Sequence, residues 1–167
     1  SMGWDPRLPE GRRAAIATIH AAIDQGINYV DTAPAYGDGY SETLFGEVMA
    51  TRRKECVLAS KVWYENDRQG VIDSVHQSLK RLQTDYIDLL YLHMWDFRTP
   101  VDEILRAFDD LIRQGKVLYA GLSDTPAWQA SRMQAIAELR GWTQFCALQI
   151  CYSLVERTVE REMIPMG

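Results

Sequence analysis

Five short apolar segments, separated by longer amphipathic ones, recur along the chain. They are 27–30 (INYV), 56–60 (CVLAS), 87–92 (IDLLYL), 117–122 (VLYAGL) and 146–150 (CALQI). Four of the five are almost continuously apolar, which is typical of parallel strands buried on both faces. The pattern therefore predicts five strands of a parallel sheet.

The intervals between these strands carry the periodicity of amphipathic helices. We predict helices over 11–25, 41–50, 69–82, 100–114 and 126–140. Glycines are expected to end three of them, at Gly26, Gly115 and Gly141. Ser41 and Thr99 are the candidate N-caps of two others. Strict alternation of strand and helix predicts an α/β fold with a parallel sheet and right-handed crossovers.

Each predicted strand has a chemically capable polar residue at or just beyond its C-terminal end. These residues are Asp31, Lys61, His93, Ser123 and Gln149, at intervals of about thirty positions. The C-terminal ends of parallel strands meet at one edge of the sheet, and in (β/α) barrels that edge carries the active site. The regular spacing of these residues therefore predicts a functional site at that edge of the sheet.

Taken singly, the candidate catalytic residues have ordinary explanations. Asp31 is a turn or cap residue on this interpretation, Tyr36 a packing tyrosine, and His93 a hydrogen-bonded core histidine. Lys61 is less ordinary, because a buried lysine needs a carboxylate partner or must lose its proton.

Taken together, the four residues make chemical sense. An ammonium near a tyrosine hydroxyl favours its ionised form and makes it a usable proton donor, and a carboxylate keeps that ammonium charged. A histidine on the next strand can hydrogen-bond a substrate carbonyl oxygen. The set predicts an acid within an electrostatic cradle for an oxygen that gains negative charge.

Composition limits the classes of protein to which the chain can belong. The 167 residues are 47% hydrophobic and 25% charged with a net charge of −5, ordinary for a soluble globular protein and unlike a basic nucleic-acid-binding domain. The sequence shows no run of transmembrane length and no signal peptide. Cys56, Cys146 and Cys151 form no CxxC pair, and we expect buried free thiols in a reducing cytoplasm.

The sequence contains neither a metal-ligand cluster nor a dinucleotide-binding GxGxxG. Carbonyl reduction by this chain would therefore need an external hydride donor, for which a nicotinamide is the expected cofactor.

Several segments closely resemble the aldo-keto reductases, from about residue 11 to the end. They are GINYVDTAPAYGDGYSETLFGEVM, VLASKVW, SLKRLQTDYIDLLYLHMWD, GKVLYAGLSD and ALQICYSLVERTVERE, and they are most similar to the bacterial and fungal aryl-alcohol dehydrogenase-like branch. The resemblance implies a (β/α)8 TIM barrel that reduces a small aldehyde or ketone with NADPH. It implies a tetrad of Asp31, Tyr36, Lys61 and His93, with Tyr36 as the general acid.

The resemblance also implies a cofactor site. Ser123 and Gln149 would contact the nicotinamide carboxamide, and Asp124 stands where many relatives have asparagine. Three aromatic residues after strand ends, Trp63, Tyr64 and Trp95, either line a substrate pocket or pack at the rim. Oligomeric state is not indicated.

The predicted domain is incomplete relative to the family fold. Residues 1–10 are expected to be a tag remnant, Ser1–Met2, followed by a lead-in, and 11–167 a partial barrel domain. Five strands stand where the family has eight, so the first and the last two are expected to lie outside this sequence. Those strands would carry the aromatic residue that stacks on the nicotinamide and the groups that bind the cofactor phosphates.

Other functions stay open at this stage. A barrel lyase or isomerase would use Lys61 as a Schiff base, but it would need that lysine unpaired, whereas Asp31 offers a partner. A non-catalytic nicotinamide-binding sensor or auxiliary subunit, or an inactive fragment, is also compatible with the sequence.

Overall fold

Strands and helices alternate throughout the computed structural model, which describes residues 8–63 and 67–167. The strands are β1 (Tyr29–Asp31), β2 (Val57–Val62), β3 (Ile87–Leu92), β4 (Val117–Ser123) and β5 (Phe145–Gln149). The helices are α1 (Pro9–Asp24), α2 (Tyr40–Arg52), α3 (Arg68–Leu82), α4 (Val101–Arg113), α5 (Ala127–Arg140) and α6 (Met163–Met166). Short 3₁₀ turns cover Arg53–Glu55 and Thr158–Glu160. The predicted strands and the five longer helices are confirmed.

The sheet is parallel throughout, with the strands in the order β1-β2-β3-β4-β5. In a flat sheet β1 and β5 would be about 19 Å apart, four spacings of about 4.8 Å. The side chains of Asp31 on β1 and Gln149 on β5 nevertheless come within 3.4 Å. The sheet is therefore curled into half of a barrel, which confirms the predicted fold class.

The hydrophobic core lies between the outer face of this sheet and the helices. Leu58, Leu90 and Leu92 on the strands are fully buried there. On α4, Ile104 and Phe108 are four residues apart and so lie on one face of the helix, where both are buried. The amphipathic helices thus cover one face of the sheet.

The inner face of the half barrel is less covered than the sequence predicts. Tyr29 and Val57 are each 42% exposed, and Tyr119 is 60% exposed. The prediction that the strands are buried on both faces is therefore wrong at the beginnings of β1 and β2 and within β4. Helices of the described chain pack on the outer face, and these inward residues lack such a cover. Among the described residues, no helix is long and apolar enough to cross a membrane.

Two predicted helix caps are wrong, because each hydroxyl has a different partner. Helix α2 begins after Gly39, which has a left-handed conformation, and the Ser41 hydroxyl bonds that of Thr32 at 2.8 Å. The Thr99 hydroxyl donates to Asp96 at 2.6 Å, ahead of helix α4. Asp67, which the sequence pattern did not single out, does cap its helix by accepting from the Gly70 amide.

The prediction of three buried thiols is correct only for Cys56. Cys146 and Cys151 are exposed, and all three cysteines are free. Cys146 lies on β5, the last strand of the described sheet, and Cys151 follows that strand. An apolar local sequence did not imply burial here, because burial depends on what packs against the strand.

Candidate active site

A buried ion pair links the first two strands at their C-terminal ends. Lys61 is 1% exposed, and its Nζ donates to Asp31 Oδ1 at 2.6 Å and Oδ2 at 2.8 Å. It also donates to the carbonyl oxygen of Thr32 at 3.1 Å. An ammonium has three donors, and all three are used here. The partner that the sequence predicted for Lys61 is therefore present.

Tyr36 lies beside this pair on the turn between β1 and α2. Its ring centroid is 4.9 Å from Lys61 Nζ, and 6.1 Å from the ring of His93 in an edge contact. The sequence predicts an ammonium near the tyrosine hydroxyl. Instead the ammonium lies over the ring, because Asp31 and Thr32 already occupy its donors. Tyr36 is 41% exposed, so part of the residue is accessible to a ligand.

His93 follows β3, next to Lys61 along the curled edge. Its backbone amide donates to the carbonyl of Val62 at 3.0 Å, and its ring lies 4.2 Å from that of Trp63. Burial, and then the charge of Lys61, lower the pKa of His93 below its usual value. This shift favours the neutral imidazole. Its Nδ1 is buried and, among the described residues, has no hydrogen-bond partner.

The three candidate cofactor residues lie at the C-terminal ends of the last two strands. Ser123 ends β4 and is 5% exposed, and its carbonyl accepts from the hydroxyl of Thr125 at 2.9 Å. Asp124 is exposed and has a φ of +39°, an unusual backbone conformation that aspartate tolerates better than most residues. The side-chain amide of Gln149 faces Asp31 across the curl of the sheet. The structure thus places Gln149 directly on the ion pair.

A cavity of about 530 Å³ lies beside Asp124. Its lining also includes Thr125, Pro126 and Ile150. Ligand sites typically have volumes of about 300–1,000 Å³. There is therefore room for a small organic group beyond the ends of β4 and β5.

The candidate aromatic residues separate into different roles. Trp63 contacts His93, whereas Trp95 is 8% exposed and packs against Phe97 and Trp128 with centroid distances of 4.5 and 5.6 Å. Trp95 is therefore a rim-packing residue, while Trp63 faces the candidate site. Tyr64 lies outside the described residues.

Sequence reasoning missed two contributions to this site. The carbonyl of Thr32 is the third acceptor for the ammonium, and a backbone group leaves no signal in the residue type. The carboxylate of Glu42 is fully buried behind the site. Its position in an ordinary-looking helix start gave no indication of burial.

Comparison with known proteins shows the family of the chain. The sequence profile of the Aldo/keto reductase family matches residues 4–167. The chain belongs to this family. It is 42% identical to norsolorinic acid reductase of Aspergillus flavus over 98% of the chain and 47% of that protein. It is 39% identical to aryl-alcohol dehydrogenase GME11368 of Pestalotiopsis microspora, over 93% of the chain and 44% of that protein.

A third relative carries a cofactor in its name. The chain is 34% identical to aryl-alcohol dehydrogenase [NADP(+)] of Phanerodontia chrysosporium, over 93% of the chain and 46% of that protein. The chain spans about half the length of the curated relatives it matches.

Proposed function

We propose that the whole protein is an oxidoreductase that reduces an aldehyde or ketone carbonyl to an alcohol with NADPH, and that Tyr36 is its general acid. The observation that carries this proposal is the ammonium of Lys61, 1% exposed, paired with Asp31 and lying over the ring of Tyr36. The names of the relatives, a reductase and two alcohol dehydrogenases, support the reaction class.

Each side chain has a distinct task in this proposal. The tyrosine hydroxyl donates a proton to the substrate oxygen, and the charge of Lys61 stabilises the tyrosinate that remains. Asp31 holds the ammonium in place by accepting two of its hydrogen bonds. Neutral His93 donates a hydrogen bond to the same substrate oxygen and so stabilises its developing negative charge. The 41% exposure of Tyr36 leaves part of the residue open to the substrate.

The residues present fit a nicotinamide. Its carboxamide needs both a donor and an acceptor, and the hydroxyl of Ser123 and the amide of Gln149 offer both kinds of group. A bound nicotinamide would supply the hydride. The preference for NADPH over NADH is supported by the name of the relative that specifies NADP(+).

The substrate partner in this proposal is a small carbonyl compound, with neither nucleic acid nor membrane as a partner. The proposed location is the cytoplasm, which suits three free cysteines. A Schiff-base mechanism at Lys61 is disfavoured, because such a lysine needs a free amine and this one donates three hydrogen bonds.

The decisive experiment is Tyr36→Phe in the whole protein. The substitution removes the proton donor and leaves the ring contacts with Lys61 and His93 nearly unchanged. The turnover number for an aldehyde should fall by roughly 10²–10⁴-fold, the usual contribution of a positioned acid. The affinity for NADPH, followed by fluorescence titration, should barely change, because the lost interaction acts in the transition state.

Tyr119→Phe is the matched control. Tyr119 is exposed like Tyr36, to 60%, but lies on the inner face of β4. It should leave turnover unchanged. Wild-type turnover in the Tyr36→Phe variant would refute the assignment of Tyr36 as the acid.

A further inference from the structure

A second ionic cluster, built on a buried carboxylate and a partly exposed arginine, lies behind the candidate site, on the helical side of the sheet. The carboxylate of Glu42 is fully buried, and Oε1 accepts from the hydroxyl of Ser60 at 2.7 Å. Its Oε2 accepts from Nε of Arg81 at 2.6 Å. The guanidinium of Arg81 also approaches the hydroxyl of Ser78 at 3.4 Å. We call Glu42, Ser60 and Arg81 the rear cluster.

A cluster of this kind is poor evidence for stability. Burying an ion pair carries a large desolvation penalty, and apolar replacements of buried pairs are often neutral or stabilising. A surface ion pair would be easier to build, so the position of the rear cluster needs another explanation. One attested use of such groups is to select a single arrangement of the elements they join.

The rear cluster joins the strand that carries Lys61 to the helix that follows the turn of Tyr36. Ser60 directly precedes Lys61 on β2, and successive strand residues point to opposite faces. Glu42 lies in the first turn of α2, just after the turn that carries Tyr36. The contact between Ser60 and Glu42 therefore links β2, next to Lys61, to the first turn of α2, just after the turn of Tyr36.

The turn that carries Tyr36 is tied closely to the start of α2. The amides of Tyr36, Gly39 and Ser41 donate to the carbonyls of Ala33, Pro34 and Tyr36 at 3.1, 2.7 and 3.2 Å. The Ser41 hydroxyl bonds the hydroxyl of Thr32, whose carbonyl accepts from Lys61. Movement of the first turn of α2 must therefore move this turn as well.

Arg81 also contacts the turn directly. A Cβ atom on Gly39, which has a φ of +80°, would lie 2.7 Å from Cδ of Arg81. The arginine side chain therefore packs against the backbone at the end of the turn. Tyr36 itself is 41% exposed, so the contacts of its ring with Lys61 and His93 hold it only in part.

We infer that Glu42 is a positioning residue: with Ser60 and Arg81 it holds the turn of Tyr36 in register with Lys61. This inference rests on the proposed function, in which Tyr36 must reach a substrate oxygen beside Lys61. On this inference the rear cluster need not contact substrate or cofactor. It acts through the backbone that presents Tyr36.

The test is Glu42→Gln, which keeps an oxygen for Ser60 but turns an amide donor toward the donors of Arg81. Asp88→Asn is the matched control. Asp88 Oδ2 also accepts from an arginine, Arg53, at 2.5 Å and from the amide of Leu58 at 2.8 Å, toward the opposite end of the strands. Both variants should lose stability.

Only Glu42→Gln should disturb the site. With the whole protein folded, its kcat for an aldehyde should fall about 10- to 100-fold, the scale expected when a catalytic group is displaced by about 1 Å. The affinity for NADPH should stay within about threefold. Hydrogen exchange at the amides of Tyr36, Gly39 and Ser41 should accelerate in Glu42→Gln and not in Asp88→Asn.

Ser60→Ala is a milder variant in case Glu42→Gln does not fold. It leaves the Glu42–Arg81 pair intact, and it should still speed exchange in the turn and lower kcat several-fold. Unchanged kcat and unchanged exchange in a folded Glu42→Gln, or in Ser60→Ala if the first does not fold, would overturn the inference. An equal effect of Asp88→Asn would do the same. Failure of the proposed function gives a different result, because the wild-type protein then reduces no carbonyl. In that case the comparison of hydrogen exchange between Glu42→Gln and Asp88→Asn alone decides whether Glu42 positions the turn.

Discussion

The pair formed by Asp31 and Lys61 is asymmetric, and this asymmetry predicts an unequal response to substitution. The side chain of Lys61 is 1% exposed, whereas that of Asp31 is 29% exposed. Asp31→Asn leaves an ammonium that water cannot reach. Lys61→Met leaves a carboxylate that water can reach, and places an apolar chain of similar length in the buried position.

The expected magnitudes follow from this difference. Removing one partner of a buried ion pair costs about 3–5 kcal/mol. For Asp31→Asn we expect about 3 kcal/mol, because asparagine still offers one oxygen to the ammonium and the Thr32 carbonyl remains. For Lys61→Met we expect about 1 kcal/mol, since the remaining carboxylate is hydrated and keeps the amide of Gln149. The double variant contains no buried charge, so it should be more stable than Asp31→Asn alone.

Urea denaturation followed by circular dichroism measures these differences. With a slope of about 1–3 kcal/mol per molar urea, a gap of about 2 kcal/mol separates the two midpoints by about 1 M. Equal slopes would show that the variants unfold from similarly compact states. Destabilisation of Lys61→Met equal to or greater than that of Asp31→Asn would refute this reasoning, since it would mean that the exposed partner and the buried one are equivalent.

Two further predictions concern backbone contacts and pH. Gly46→Ala should be more destabilising than Gly121→Ala in thermal unfolding. A Cβ at Gly46 would collide with the backbone oxygen of Arg81. A Cβ at Gly121 would lie 2.5 Å from the movable ring of Tyr91 and 3.2 Å from the backbone oxygen of Ala147, which needs a smaller adjustment; such overpacking costs about 1–3 kcal/mol. Greater destabilisation by Gly121→Ala would contradict a rigid contact between α2, which carries Gly46, and α3, which carries Arg81. Burial and a nearby ammonium lower the pKa of His93 in the folded protein. As pH decreases, the unfolded chain therefore takes up a proton at this residue at a higher pH than the folded protein does. The free energy of unfolding should then fall as pH decreases below the unfolded pKa of about 6.5. His93→Gln should reduce this fall in urea midpoints at pH values of about 7.5, 6.5 and 5.5, which bracket the unfolded pKa, and an unchanged fall would count against it.

Much of the fold and the main candidate residues could be predicted from the sequence, because they depend on local patterns. Strand and helix periodicity identified the alternation, including β3 at Ile87–Leu92 without error. Asp31, Lys61 and Gln149 were found because each is located by the end of its own strand. Their chemical roles stay a prediction that the proposed variants must test.

Helix caps and thiol exposure were less predictable, since they depend on competing partners. Ser41 and Thr99 have the right residue type and position for caps, but their hydroxyls bond Thr32 and Asp96 instead. Cys146 has apolar neighbours in sequence and is still exposed. Local sequence describes the groups available to bond, and the packing of the chain selects among them.

The sequence by itself determined which residues stand at the ends of the strands. Only the tertiary structure decided which of them meet. Gln149 reaches Asp31 because the sheet curls, and Glu42 meets Arg81 because α2 and α3 pack together at Gly46. Curvature and helix packing arise from contacts between residues far apart in the chain, so no local periodicity encodes them.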